Sequence, residues 1–312
     1  MAYNLNEINR RALADPAGFV RECDAEYDAK IKLAADMIIK NRERSPIVLI
    51  SGPSGSGKTT TSKKIEEELR HRGIMSHAIA MDSYFITVDP ETAPRTPEGT
   101  LDLESPQIVD LELMNKHFDM LARGETVDIP KYSFSEQRRL DIPSVSIKLG
   151  HDDIAVVEGI HALNDMVTSA HPEAFKLYIS ARSNVERDNG EVCFKGTWMR
   201  LVRRVVRDKM FRGAAADYTL GMWANVRRGE KHNISPFKDK ADLKFDSSFP
   251  YEVSVMRAFA EELFQSIPED VERCEEFKCI FPALQLFEPI DAKYLLPDSL
   301  LCEFVGGGKY SY

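Results

Sequence analysis

The chain has 312 residues, 43% of them hydrophobic and 29% charged, and a net charge of -9 at pH 7. This is the composition of a globular chain and excludes a disordered or fibrous one, while the acidity argues against general binding to nucleic acid or a membrane surface. No apolar run approaches the roughly 20 residues that span a bilayer and the opening MAYNLNEINRRALADP has no apolar signal core, so a cytoplasmic location is expected.

In such a compartment the scattered cysteines Cys23, Cys193, Cys274, Cys279 and Cys302 are expected as reduced thiols. Residues 1–45 read as helical, with Ala29, Ile31, Leu33, Ala34, Met37 and Ile38 on one apolar face. Pro46-Ile47-Val48-Leu49-Ile50 then suits a buried strand. It runs directly into Gly52-Pro53-Ser54-Gly55-Ser56-Gly57-Lys58-Thr59, which has the phosphate-loop spacing G-x-x-x-x-G-K-T, and residues 60–72 read as a helix stopped by Gly73. Glycines at these positions let successive N–H groups converge on phosphate oxygens at the positive end of the helix. The cradle would comprise Gly52, Ser54, Gly55, Ser56, Gly57, Lys58, Thr59 and Thr60. Lys58 would reach the β- and γ-phosphates, and the Thr59 hydroxyl would be a Mg²⁺ ligand.

Residues 76–81 predict a second strand, followed at once by Asp82; 154–157 a third, ending in Glu158-Gly159; 175–179 a fourth; and 243–245 a fifth. Short apolar strands alternating with helices specify an α/β fold with a doubly wound parallel sheet, whose ligands sit at the carboxyl ends of the strands. The phosphate loop, Asp82 and Glu158 should therefore open onto one edge. Between the second and third strands lies an insertion, about 83–150, with a helix predicted over 106–121. Residues 126–134 are expected to pair with 145–149, as a lobe closing over an acceptor or as an edge hairpin.

Phosphoryl transfer needs the γ-phosphate fixed, its charge offset, and an attacking hydroxyl relieved of its proton. Asp82 is the candidate base, with a helix-capping role as the alternative; Glu158 is the candidate Mg²⁺ ligand, directly or through water. In TWMRLVRRVVRDKMFRG, residues Arg200, Arg203, Arg204 and Arg207 share one helical face and Arg212 follows about a turn later. Such a stripe calls for an anion to offset it, or else pairs with Asp208 and neighbouring acids as a solvated face.

Taken together, GPSGSGKTT, MDSYF, VVEGIHAL and RLVRRVVRDKMFRG resemble, in order, the motifs of the uridine kinase and phosphoribulokinase family of P-loop kinases over about residues 46–250. The tail LLPDSLLCEFVGG is similar to that of a uridine kinase-like bacterial branch. The resemblance implies a P-loop NTPase-type kinase domain over 46–262, with an inserted β-hairpin lobe and an Arg-rich helical lid at about 197–214, and a C-terminal extension, 263–312, packed on it. It implies ATP and Mg²⁺ as cofactors, with Asp82, Lys58, Arg207 and Arg212 catalytic. LESPQIVD, with Glu104, and PKYSFSEQRR, with Tyr132, are similar to the family's acceptor segments. Asp82, Tyr84, Glu104, Tyr132, Gln137, Arg139 and Arg204 are thus the expected substrate contacts, and Arg204 also faces the nucleotide. Ser133, Gln137 and Ala214 stand where the family pattern has Asp, His and Arg. The expected reaction is ATP-dependent phosphorylation of a small-molecule hydroxyl, foremost the 5′-hydroxyl of a nucleoside in salvage. Sugar phosphates and pantothenate remain open as acceptors, as do a nucleotide-hydrolysing switch and a homo-oligomer.

Overall fold

The computed structural model describes residues 2–97, 99–102, 104–265 and 275–311. In chain order the elements are β1 (Ala2–Asn4), α1 (Leu5–Ala14), α2 (Pro16–Asn41), β2 (Ile47–Ser51), α3 (Lys58–His71), β3 (Ser76–Ala80), α4 (Leu111–Ala122), β4 (Val127–Ser133), β5 (Arg138–Ile147) and β6 (Ile154–Glu158). There follow α5 (Asp165–Thr168), β7 (Phe175–Ser180), β8 (Asn184–Glu186), β9 (Val192–Phe194), α6 (Gly196–Arg212), α7 (Ala216–Gly229), β10 (Leu243–Asp246), α8 (Glu252–Gln265), α9 (Glu275–Leu284) and α10 (Cys302–Val305).

Among the described residues, a five-stranded sheet runs in the order β10-β7-β2-β6-β3, every pair parallel. Its strands read as apolar runs because both faces are covered. Along β2, Val48 and Ile50 enter one core with α2, α3, α6 and α8, while Ile47 and Leu49 enter a second core with α4 and the base of the β4–β5 hairpin. The sheet is the α/β, doubly wound arrangement expected from the strand pattern. None of the described helices is long and apolar enough to cross a membrane.

Several expectations shift. On α2 the buried positions are Phe19, Val20, Cys23, Asp24, Tyr27, Ile31, Ala34, Ala35 and Ile38, so Ala29 and Leu33 fall outside the apolar face and Leu33 is exposed. The predicted helix over 106–121 is divided: a turn at Pro106–Ile108 gives way to extended Val109, and α4 starts only after Asp110, whose side chain accepts from the Leu113 amide. The returning strand of the hairpin begins at Arg138 rather than Val145, with Ser133 opposite Arg138 and Val127 opposite Ile147. Gln137 closes its turn with a left-handed φ of 52°. Cys23, Cys193, Cys279 and Cys302 are free thiols, and Cys274 lies outside the described residues.

Candidate active site

The loop after β2 folds as it does because three of its positions admit no side chain. A Cβ on Gly52 would come 2.0 Å from the Ile179 carbonyl oxygen and one on Gly55 2.7 Å from that of Arg200, and Gly55 and Gly57 have φ of 74° and 77°. From outside, the loop's oxygens are held by donors: Arg200 Nη1 to Ser54 O at 3.2 Å, Arg203 Nη1 to Gly55 O at 3.2 Å, Arg204 Nη1 to Ser54 Oγ at 2.9 Å and Ser247 Oγ to Ser56 O at 2.6 Å. A trans peptide points its N–H opposite its C=O. The N–H groups of Gly55 and Gly57 therefore turn away from these donors, and both residues line a cleft of about 400 Å³. Ser56 does not line it; it is fully buried and its amide donates to Pro53 O at 3.2 Å. Gly52 likewise packs on β7 rather than forming the cleft wall.

Across this cleft stand Lys58, Asp82, Glu104, Glu158, Arg207 and Arg212. Asp82 follows β3 and Glu158 ends β6, so the parallel register of β2, β6 and β3 delivers both acids to the end of the sheet that carries the loop. Lys58 Nζ has Pro53 O at 3.4 Å, a long contact, and burial holds its pKa below the usual lysine range. Burial raises the pKa of Asp82, opposed by Lys58 and Arg212; of Glu158, opposed first by Lys58; and of Glu104, opposed by Arg204 and Lys58. The Thr59 hydroxyl lies 3.3 Å from Glu158 Oε2. A hydroxyl beside a carboxylate in a cleft rimmed by loop amides is a hard-oxygen donor set suited to Mg²⁺. That ion is commonly held by one or two protein ligands and completes its shell with phosphate and water. No group of three or more His, Cys, Asp and Glu side chains among the described residues forms an all-protein metal cage.

The arginine stripe divides, which the sequence reading missed. Arg200 and Arg203 are 2% and 0% exposed and paired with protein carboxylates: Arg200 Nη2 to Glu230 Oε2 at 2.8 Å, Arg203 Nη2 to Glu252 Oε2 at 2.7 Å. Arg204, Arg207 and Arg212 instead gather on Asp208, at 3.4, 2.9 and 3.5 Å. His161 is buried and its pKa is pushed down to about 4 by desolvation, so at neutral pH it carries no charge.

The expected substrate contacts also divide. Asp82 and Glu104 line the cleft, and Arg204 reaches the loop through Ser54. Tyr84 is turned into the second core with its hydroxyl 3.0 Å from His117 Nδ1. Arg139 is engaged by Asp110 at 2.8 Å and by the carbonyls of Tyr84 and Phe85, which tie the hairpin to the turn after β3. Tyr132 packs edge-on against Phe85 and Phe134, and Gln137 is exposed at the hairpin tip. None of these four lines the cleft. Glu303 does, although the tail resemblance assigned it no role: its carboxylate accepts from Thr60 Oγ1 at 2.6 Å and Thr60 N at 3.2 Å, across 243 residues of chain.

Residues 47–253 match the profile of the phosphoribulokinase/uridine kinase family. The uridine kinase of Schizosaccharomyces pombe is 32% identical over 164 residues, which is 53% of this chain and 32% of that protein. The chain thus matches about a third of the length of that relative. The uridine kinase of Ligilactobacillus salivarius is 27% identical over 205 residues, 65% of this chain and 86% of that one. Among solved structures, a proposed fructose transport system kinase from Silicibacter sp. TM1040 aligns with a TM-score of 0.51 at 16% identity, covering 69% of this chain and 98% of its own, a likeness of fold alone. With two thirds of its length under the family profile and that fold around its phosphate loop, the chain belongs to the phosphoribulokinase/uridine kinase family of P-loop kinases.

Proposed function

We propose that the chain is an ATP- and Mg²⁺-dependent phosphotransferase acting on a small-molecule hydroxyl, with the 5′-hydroxyl of a nucleoside as its acceptor. The observation that carries this reading is the meeting of Asp82, Glu158 and Lys58 around one cleft at the phosphate loop. In the proposed reaction Thr59 and Glu158 hold the magnesium, and the amides of Gly55 and Gly57 with Lys58 fix the phosphates. Arg207 and Arg212 offset charge on the transferring group. Asp82 takes the proton of the attacking hydroxyl, and Glu104 orients the acceptor. ATP, when bound, supplies the phosphoryl group and leaves as ADP. The kinase unit spans 46–262, with residues 1–45 and 263–312 as extensions, and works in the cytoplasm.

The direct test is ADP release measured with nucleosides, sugar phosphates and pantothenate in turn. Stimulation by uridine or cytidine is expected; if no acceptor raises ADP release above the basal rate, the kinase reading fails and a nucleotide-hydrolysing switch replaces it. Asp82→Asn should lower turnover with the active acceptor about 10²–10⁴-fold while ATP still binds. Because burial raises the Asp82 pKa and a base must be ionised, turnover should fall as pH drops through a midpoint above the ordinary aspartate value. Equal turnover in the variant would take Asp82 out of the mechanism.

A further inference from the structure

Helix α3 is preceded by Gly57, which has no side chain to cap it, and its first-turn donors are the groups a phosphate loop offers to the α- and β-phosphates. One of those amides, that of Thr60, and the Thr60 hydroxyl both donate to the carboxylate of Glu303. Glu303 is 5% exposed yet reaches the cleft wall, so it places a negative charge where the helix end and the loop favour an anion. The segment that carries it is fastened on both sides. Before it, Asp298 takes Lys64 at 2.9 Å and Leu300 covers Gly57, where an added Cβ would meet Leu300 Cδ1 at 2.4 Å. After it, Lys309 and Tyr310 both reach Glu67 at 2.7 Å. Phe304, next to Glu303, lies with its ring centre 5.1 Å from the Arg203 guanidinium.

A phosphate oxygen and this carboxylate cannot accept the same two hydrogen bonds at once, and holding them side by side sets like charges together. We propose that Glu303 is an internal competitor for nucleotide phosphate: nucleotide binding displaces its side chain from Thr60, and the C-terminal segment thereby sets nucleotide affinity. This rests on the phosphate-site reading above and adds to it a residue outside the family's matched span, 47–253. With its flanks fixed by Asp298 and Glu67, the movement is confined to Glu303 and the single turn of α10. Lys58 and Arg212, which face Glu303 across the cleft, are the cations that the carboxylate and the nucleotide share.

The test compares Mg²⁺–ADP affinity, by calorimetry on the full chain, in the wild type and Glu303→Gln. Glutamine keeps an oxygen for the Thr60 donors and removes the charge. The variant is expected to bind about tenfold more tightly. In the wild type, Mg²⁺–ADP should speed amide hydrogen exchange over Cys302–Val305, a readout that a mere helix cap would not give and that needs no variant to fold. Slower or unchanged exchange there overturns the proposal. ADP bound by the wild type but no more tightly by Glu303→Gln overturns it too and leaves the kinase reading intact; no ADP bound by either chain overturns both.

Discussion

Arg200 and Arg203, in the first half of α6, pair with buried carboxylates, Arg200 with Glu230, which Arg227 also reaches, and Arg203 with Glu252, whereas Arg204, Arg207 and Arg212 in the second half share Asp208. The five guanidinium groups are identical in chemistry and nearly continuous in sequence. What separates them is the supply of counter-charge. A buried arginine paired with a carboxylate holds structure in place, here the outward carbonyls of Ser54 and Gly55; of the three that share Asp208, Arg207 and Arg212 line the cleft, where an incoming phosphate would add counter-charge.

The largest effect should come from breaking the paired half. Arg203→Ala strands the Glu252 carboxylate in the core and removes the donors to Gly55 O and Ser247 O. The expected loss is about 3–5 kcal/mol of unfolding free energy, read by urea denaturation. A loss under about 1 kcal/mol, the scale of an exposed pair, would erase the distinction between the two halves. Next comes the shared half. Arg207→Ala should lower turnover on the order of 10²-fold, as loss of one charge-stabilising donor does, while the melting temperature stays near that of the wild type. If instead the chain melts early and the residual folded enzyme turns over normally, Arg207 belongs with Arg203.

This division was only half legible in the sequence. The 3.6-residue period put Arg200, Arg203, Arg204 and Arg207 on a stripe and the valines opposite, but a period cannot say which arginine meets Glu230 on the turn after α7 or Glu252 at the start of α8. The main sheet was legible because each strand is a short apolar run between helices, and such a run has few other places to go. The phosphate loop was legible because its glycines are required by local geometry. The return strand of the hairpin was shortened because residues 138–146 are largely exposed on both faces and lack the alternation that marks a half-buried strand. The division at Val109 was missed because Ser105 and Asp110 act as caps only once the chain has turned. Glu303 was out of reach altogether: its partner is Thr60, and nothing within the tail records a contact made across 243 residues of chain.

The smallest effect should come from Asp208, the carboxylate on which the shared half depends. Asp208→Asn removes one negative charge beside Arg204, Arg207 and Arg212 while keeping an oxygen for Arg207 and Arg212, which share Oδ1. Two consequences oppose each other. Arginines with no counter-charge repel, which should cost the folded chain about 1 kcal/mol, and the same excess should draw in phosphate, tightening Mg²⁺–ADP binding by about two- to fivefold. Arg212 is largely exposed, so part of this gain is screened and should shrink as salt is raised. Affinity measured at low and high ionic strength separates charge from geometry. A gain at low salt that fades at high salt means that charge excess governs this half of α6; weaker binding at both would mean that Asp208 aims the guanidinium groups, and that the two halves differ in orientation rather than in counter-charge.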